Sequence, residues 1–375
     1  MRKRTKGDRN RLKTNLHNDW EPGVEESEEL SDKRTLTAHL APHKNSAARR
    51  AGRVIGRVLA VLFVLLLAVM SLAFGAVHIT FTGPSPVARD RLVVSLMETS
   101  ALKFVPRMYY TDNEIDDFLT GNAVVVFEEV TEPAPAFTPL PEETAAEDIQ
   151  VVDVTGPTFK GKMMIVNDPA RVQLATIPAF GEEANGKKVE TLVAEAGAVA
   201  GINAGGFKDE GGVGTGGEPL GLVIADGRIR NGGAGTTGTV IGFDAENHLI
   251  VGRMSGQQAL DRNMRCAVSF EPALIVNGVP AEVLGSGGGL NPRTAIGQRA
   301  DGAVLLLVVD GRQPHSIGAS LGDLVDVMRD FGAVNAANLD GGSSSLLVYN
   351  GEIINVCASL YGSRRQPAAF VVAAQ

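Results

Sequence analysis

Twenty consecutive residues, Val58 to Val77 (VLAVLFVLLLAVMSLAFGAV), carry no charge. That is the length of one helix across a bilayer, about 20 residues, and it organises the chain on either side. Arg49, Arg50, Arg53 and Arg57 lie just ahead of it. Basic residues flanking an apolar span stay on the cytoplasmic side, so the N-terminus is expected in the cytoplasm and everything after the span outside. A cleaved signal peptide is the rival reading. The polar region before the run is much too long for the usual leading segment of a signal peptide, and the apolar core is longer than usual. A buried core helix is the remaining alternative.

Charge divides at the same point. Up to Arg57 there are 14 Lys and Arg against 8 Asp and Glu, and beyond it 21 against 35. The first 57 residues are polar, lack apolar periodicity and read as a disordered basic tail. The acidic remainder argues against a nucleic-acid partner, because such binding rests on neutralising phosphates with basic side chains. Cys266 and Cys357 are the only cysteines and form no CxxC pair, which excludes a zinc ribbon or a dithiol redox motif. They are read either as one disulfide outside the cell or as two buried thiols.

The expected organisation is a cytoplasmic tail over 1–57, a membrane helix over 58–79, a helical stalk or small subdomain over 80–127, an acidic Pro-rich linker over 128–148 and a catalytic domain over 149–375. In the stalk, Val87 to Leu102 suits an amphipathic helix, and Thr111 to Glu114 offers caps for a short helix through Leu119. In the body, short apolar runs at Val151–Val154, Phe159–Val166, Val172–Ile177, Leu220–Ala225, Thr239–Phe243, Leu249–Arg253, Ala273–Val276 and Ala303–Asp310 read as strands, separated by signals such as Asp226-Gly227 and Asn277-Gly278. Val189–Val199, Leu260–Met264 and Asp323–Phe331 read as helices. The 44 glycines suit many turns. Strands outnumber helices without regular βαβ alternation, so the class is α+β: a mixed, sheet-rich domain with a few packed helices.

Chemistry concentrates where apolar runs end. Asp340 is followed at once by Gly341, Gly342, Ser343 and Ser344. Glycines can turn backbone N–H groups inward into an anion-binding concavity, and serines add donors without bulk. Asn203, Arg293 and Asp310-Gly311-Arg312 end similar runs. Arg293 and Arg312 are forks suited to carboxylate or phosphate oxygens, although surface ion pairs are their commoner use. Asp310 is equally a turn cap, and Asn203 equally a satisfier of buried backbone. His315 is a candidate proton carrier, and Arg365 joins the candidate binding set from the basic pair Arg364-Arg365. Gly285 to Gly289 resembles a phosphate loop only superficially, since no helix clearly follows it.

Four motifs in one order, Gly201-Ile-Asn-Ala-Gly-Gly-Phe207, Asn291-Pro-Arg-Thr-Ala-Ile-Gly297, Val309-Asp-Gly-Arg312 and Asn338-Leu-Asp-Gly-Gly-Ser-Ser344, resemble the phosphodiester glycosidase family. That family includes many bacterial envelope proteins labelled as exopolysaccharide proteins. The resemblance covers about Gly197 to Val372. It implies hydrolysis of the bond between a sugar and the phosphate of a phosphodiester. Gly206, where many relatives carry an aromatic residue, and the Gly211–Gly217 loop depart from the pattern.

Sugar transfer passes through an oxocarbenium-like state that two carboxylates usually serve. A phosphate leaves as a stable anion and needs little protonation, so the demand shifts to holding its charge and activating water. Asp340 is the expected base or nucleophile and Asp310 the second carboxylate. Arg293 and the Gly341–Ser344 backbone and hydroxyls would hold phosphate, Arg312, His315 and Arg365 complete the substrate-binding set, and Asn203 would orient a sugar hydroxyl or the phosphate. The expected protein is a single-pass membrane hydrolase acting on an anionic glycan outside the cytoplasm. The alternative is a non-catalytic envelope module that binds anionic polysaccharide with the same groups. No metal or cofactor is expected, because Asp340 has no oxygen ligands near it at the spacing of a calcium loop.

Overall fold

The structure, a computed structural model, describes residues 46–99, 101–132, 137, 148–209, 214–359 and 362–375. The basic tail up to Asn45, most of the acidic linker and residues 211–213 of the glycine loop lie outside the described residues. Ser46–Thr82 is one helix. Its stretch Arg50–Thr82 is long and apolar enough to cross a membrane. The chain divides into two compact units, Met1–Ala73 and Phe74–Gln375.

The second unit is α+β and rich in antiparallel sheet. Seven strands form the main sheet in the order Ile149–Thr155, Lys160–Val166, Val304–Val309, Arg293–Arg299, Ala333–Leu339, Ala273–Val276 and Val279–Pro280. Every neighbouring pair is antiparallel. Successive side chains of a strand point to opposite faces, and the core divides accordingly. Met164, Val304, Leu306, Val308 and Leu339 face two five-stranded sheets that supply Ile202, Phe243 and Phe370. Met163, Leu305, Leu307, Val309 and Ala336 face the helix Leu321–Asp330, which presents Leu324, Val325 and Met328. Val304–Val309 is therefore buried on both faces, which is why it reads as an unbroken apolar run.

Local chemistry sets the boundaries. Asn277-Gly278 and Asp226-Gly227 take positive φ at both positions, as tight hairpin turns require. The apolar run from Val189 is not one helix to Val199. It is helical over Val189–Glu195 and becomes the strand Ala198–Asn203 after Gly197 turns the chain at φ +63°. The short helix expected at Leu260–Met264 lies earlier, at Gly256–Asp261, where Ser255 and Gln258 form a capping box. Asn263 at φ +55° then starts the strand Met264–Ser269.

The segment after the apolar helix forms three short helices, Pro86–Met97, Phe104–Arg107 and Asp112–Gly121. Ser85 caps the first, and a Thr111–Glu114 capping box starts the last. This segment lies against the sheet-rich part. The Leu290 N–H donates to Ser95 Oγ at 2.8 Å, and Leu284 N–H donates to the Ala123 carbonyl at 2.8 Å. The glycine run at 285–289 is the seat for this contact. A Cβ on Gly289 would lie 2.4 Å from Ser95 Cα, and one on Gly285 2.4 Å from the Gly121 carbonyl oxygen.

Candidate active site

Antiparallel register gathers the polar strand ends. Arg293 stands opposite Val309, and Thr294 opposite Leu339. The start of one strand and the ends of its two neighbours, which lead into Asp310 and Asp340, therefore share one edge of the sheet. A cavity of about 460 Å³ opens there. It is lined by Glu98, Asp209, Glu271, Asp340, Arg293, Arg312 and Arg364, by Asn291 and Asn338, by the turn Gly341 to Ser344, and by Phe207, Phe270 and Leu321.

Asp340 follows the strand Ala333–Leu339 directly. Burial pushes its carboxyl up to about 6, against the opposing pull of the Ser344 hydroxyl, Arg364 and the Gly341 N–H. Its backbone is fixed from behind. Asp340 N–H donates to the Ala204 carbonyl, and the Asp340 carbonyl accepts from Asn203 Nδ2 at 2.5 Å. Asn203 is fully buried, and its Oδ1 accepts from Thr294 Oγ1 at 2.7 Å and Leu346 N–H at 3.1 Å. Its amide is spent on protein groups. Asn203 holds the acid's backbone and does not line the cavity.

The three cationic forks differ in their state. Arg293 Nη2 lies 2.6 Å from Glu98 Oε2 and 2.7 Å from the Gly289 carbonyl, and its Nε donates to the Ala319 carbonyl. Arg364 pairs with both oxygens of Asp209 at 2.6 and 2.7 Å. That pair holds the Asp209 carboxyl below the usual carboxylate range. Arg312 has no carboxylate within bonding reach among the described residues. Its Nη2 donates to Asn291 Oδ1 at 2.9 Å, and burial and the neighbouring Arg293 lower its pKa. It sits at φ +57°, a conformation uncommon for a residue with a Cβ. A Cβ on Gly342 would stand in ordinary contact with this guanidinium, 3.5 Å from Nη2, and it is the φ of +64° at Gly342 that favours glycine there.

Of the cavity's three arginines and four carboxylates, two arginines and two carboxylates are thus internally paired. Arg312, Asp340 and Glu271 remain. The only side-chain bond to the Glu271 carboxylate among the described residues is a long one, 3.3 Å from Thr239 Oγ1. Asn338 contributes a buried Oδ1 without a partner, while its Nδ2 donates to the Glu271 carbonyl.

The glycine-serine turn works differently from an open amide cradle. Gly342 N–H donates to the Pro292 carbonyl, Ser344 N–H to Gly341 and Ser345 N–H to Gly342. Those amides close a short 3₁₀ turn, Gly342–Ser344, while the Gly341 N–H and the Ser344 hydroxyl bear on the Asp340 carboxyl. Asp310 lies outside the cavity lining. Its Oδ1 accepts from Val356 N–H at 2.8 Å and Asn355 Nδ2 at 3.2 Å, and its Oδ2 is 3.0 Å from His315 Nε2. Arg365 faces away from the cavity, with Nη1 donating to the Gly186 carbonyl. Its neighbour Arg364 is the one on the wall, as alternation along an extended segment requires.

Glu98, Asp209, Glu271, Asn338 and Arg364 line the cavity without having been singled out as site residues. Asn338, two positions before Asp340, and Arg364, in a basic pair, carried a local signal; the three carboxylates carried none. The glycine at 206 has a structural counterpart: a Cβ there would lie 3.1 Å from the Phe270 ring, and that ring lines the cavity. Both cysteines are free thiols. Among the described residues, no three His, Cys, Asp or Glu side chains are grouped so as to hold a metal ion.

Residues 196–373 match the family model for phosphodiester glycosidases. This segment, just under half of the chain, resembles phosphodiester glycosidase domains. Across 244 residues the chain is 26% identical to mouse N-acetylglucosamine-1-phosphodiester alpha-N-acetylglucosaminidase, covering 59% of this chain and 46% of the mouse protein. Across 167 residues it is 32% identical to the SPbeta prophage-derived uncharacterized protein YomE of Bacillus subtilis, covering 42% of this chain and 25% of that protein. The chain thus spans less than half the length of either relative. Among solved structures, the zebrafish N-acetylglucosamine-1-phosphodiester alpha-N-acetylglucosaminidase catalytic domain, auto-inhibited by its pro-peptide, superposes with a TM-score of 0.50 at 20% identity. The match covers 66% of this chain and 88% of that one, and it is a likeness of fold.

Proposed function

We propose that this chain is a membrane-anchored hydrolase that cleaves a sugar from the phosphate of a sugar-1-phosphodiester in an anionic glycan on the outer side of the membrane. One observation carries the reading. Once the Glu98–Arg293 and Asp209–Arg364 pairs are set aside, one cation and two carboxylates face the same cavity. An anionic leaving group and an oxocarbenium-like carbon ask for that set.

In this mechanism the phosphate binds to the Arg312 fork and the Ser343 hydroxyl, while the sugar lies against Phe207 and Phe270. Asn338 Oδ1 accepts from a sugar hydroxyl. The Asp340 carboxylate takes a proton from water as the water oxygen bonds to the anomeric carbon. The bond from that carbon to the phosphate oxygen breaks with its electron pair leaving on the phosphate, which departs as a monoester. Glu271 is the second carboxylate and stabilises the positive charge that develops on the ring. Asp310 stands apart from this chemistry as a structural brace, with His315 beside it.

The test is to incubate the purified full chain with a sugar-1-phosphodiester of N-acetylglucosamine and measure free sugar and phosphomonoester. Equimolar release that disappears in the Asp340→Asn protein supports the reading. A folded protein that binds anionic glycan equally well with or without Asp340 and releases no sugar would instead be a binding module.

A further inference from the structure

The short helix Phe104–Arg107 and its flanks expose apolar side chains that the glycosidase reading does not use. Leu102 is 42% exposed, Phe104 59% and Met108 66%. Phe104 and Met108 are four residues apart and lie on one face of the helix. Lys103 and Arg107 are exposed between them, and Arg107 makes only a 3.5 Å exposed ion pair with Asp112. Isolated exposed apolar residues are ordinary, but a group of them interleaved with basic ones is a recurrent form of surface that meets lipid.

The location says what covers this surface. Tyr109 and Tyr110, immediately after Met108, pack on the last turns of the long apolar helix. Their rings lie 5.0 and 5.5 Å from the Phe81 ring, and Tyr109 is 5.9 Å from His78. The Tyr110 hydroxyl donates to the Phe81 carbonyl at 2.7 Å. Aromatic rings with a polar tip gather where a spanning helix leaves the hydrocarbon. The group at 102–108 is thus fastened at the level where the apolar helix ends.

We propose that the face bearing Leu102, Phe104 and Met108 seats in the interfacial layer of the bilayer that the apolar helix crosses, with Lys103 and Arg107 against lipid phosphates, as a shallow second anchor. The inference rests on the membrane-anchor reading. The occupant is the phospholipid surface, because the group is continuous with the end of the apolar helix.

The experiment uses the full chain reconstituted in vesicles of phosphatidylcholine and phosphatidylglycerol. The sequence has a single tryptophan, Trp20, so Trp20→Phe gives a silent background. Phe104→Trp and, as a second probe, Met108→Trp then report on this face alone. Lipids brominated along the acyl chain should cut the emission of each probe by about half, while acrylamide in the water should quench it far less than in detergent-free unfolded chain. Chain that floats with the vesicles while both probes stay open to acrylamide and insensitive to bromine would overturn the second anchor and leave the first intact. Shielding from acrylamide without bromine quenching would assign the face to a protein partner and also overturn it. Chain that fails to float would remove both anchors together.

Discussion

Glu98 and Arg293 meet at 2.6 Å across 195 residues of sequence. The same carboxylate oxygen accepts from Asn291 Nδ2 at 2.7 Å, and Asn291 Oδ1 in turn accepts from Arg312. A residue just after the first helix beyond the apolar span thus orients, through one amide, the fork left free in the cavity. Glu98→Ala would strand a buried guanidinium. Breaking a buried pair costs about 3–5 kcal/mol, and the partial exposure of Glu98 lowers this to about 2–3 kcal/mol. Thermal unfolding should show the loss. Glu98→Gln should lose less, and KM should rise more than kcat falls, since the substitution acts on Arg312 and not on Asp340.

Asp340 should trade stability for chemistry. Its folded pKa, about 6, lies above its value in the unfolded chain, so ionisation costs the folded state. The cost is absent below about pH 4, grows as pH rises to about 6, and is complete above that. Asp340→Asn should therefore be more stable than the parent at pH 8, by at most about 3 kcal/mol, and indistinguishable near pH 4. Activity should fall by about 100-fold or more. Equal unfolding midpoints at pH 8 would show that the carboxyl is not held in a desolvating site.

The acid limb of activity follows from the same group. With Asp340 acting as carboxylate, kcat/KM for a sugar-1-phosphodiester should rise with pH through about 6 and then level. A profile that falls through this range would reassign Asp340 as a proton donor.

Arg312 and Arg365 give a paired contrast. Arg312→Lys keeps the charge and loses the fork, and should raise KM about tenfold, equivalent to ~1.4 kcal/mol. Arg365→Ala, with its side chain turned to Gly186, should leave kcat and KM unchanged.

Asp310 offers a control. Asp310→Ala removes the acceptor for Val356 N–H and Asn355 Nδ2, which should cost about 1–3 kcal/mol of stability. Turnover per folded molecule should be retained.

The α+β class, the central strand Val304–Val309 and the hairpin turns were legible because each is written in local pattern, an apolar run or an Asn-Gly pair. The place of Asp340 in the cavity wall was legible for the same reason, as a carboxylate followed at once by glycine and serine. Pairing was not. Nothing local distinguishes Arg293, which is neutralised by Glu98, from Arg312, which is not, because the difference lies in a carboxylate 195 residues away. Asp310 has the same local appearance as Asp340 and stands at the same sheet edge. What differs is the return of residues 355–356, whose Asn355 Nδ2 and Val356 N–H donate to its carboxylate. The choice between Arg364 and Arg365 depends on which way one extended backbone faces, and adjacent residues there have opposite answers.

The glycines at 285, 288 and 289 give the region outside the family-matched segment a hold on the cavity inside it. Gly289 has its own backbone N–H bonded to Glu98 at 3.0 Å and no room for even a methyl group against Ser95. A single added carbon there would prise the Pro86–Met97 helix off its bed and carry Glu98 out of the cavity with it. Any displacement of that helix would be felt at Arg293 and Asn291 as a change in their hydrogen bonds to Glu98.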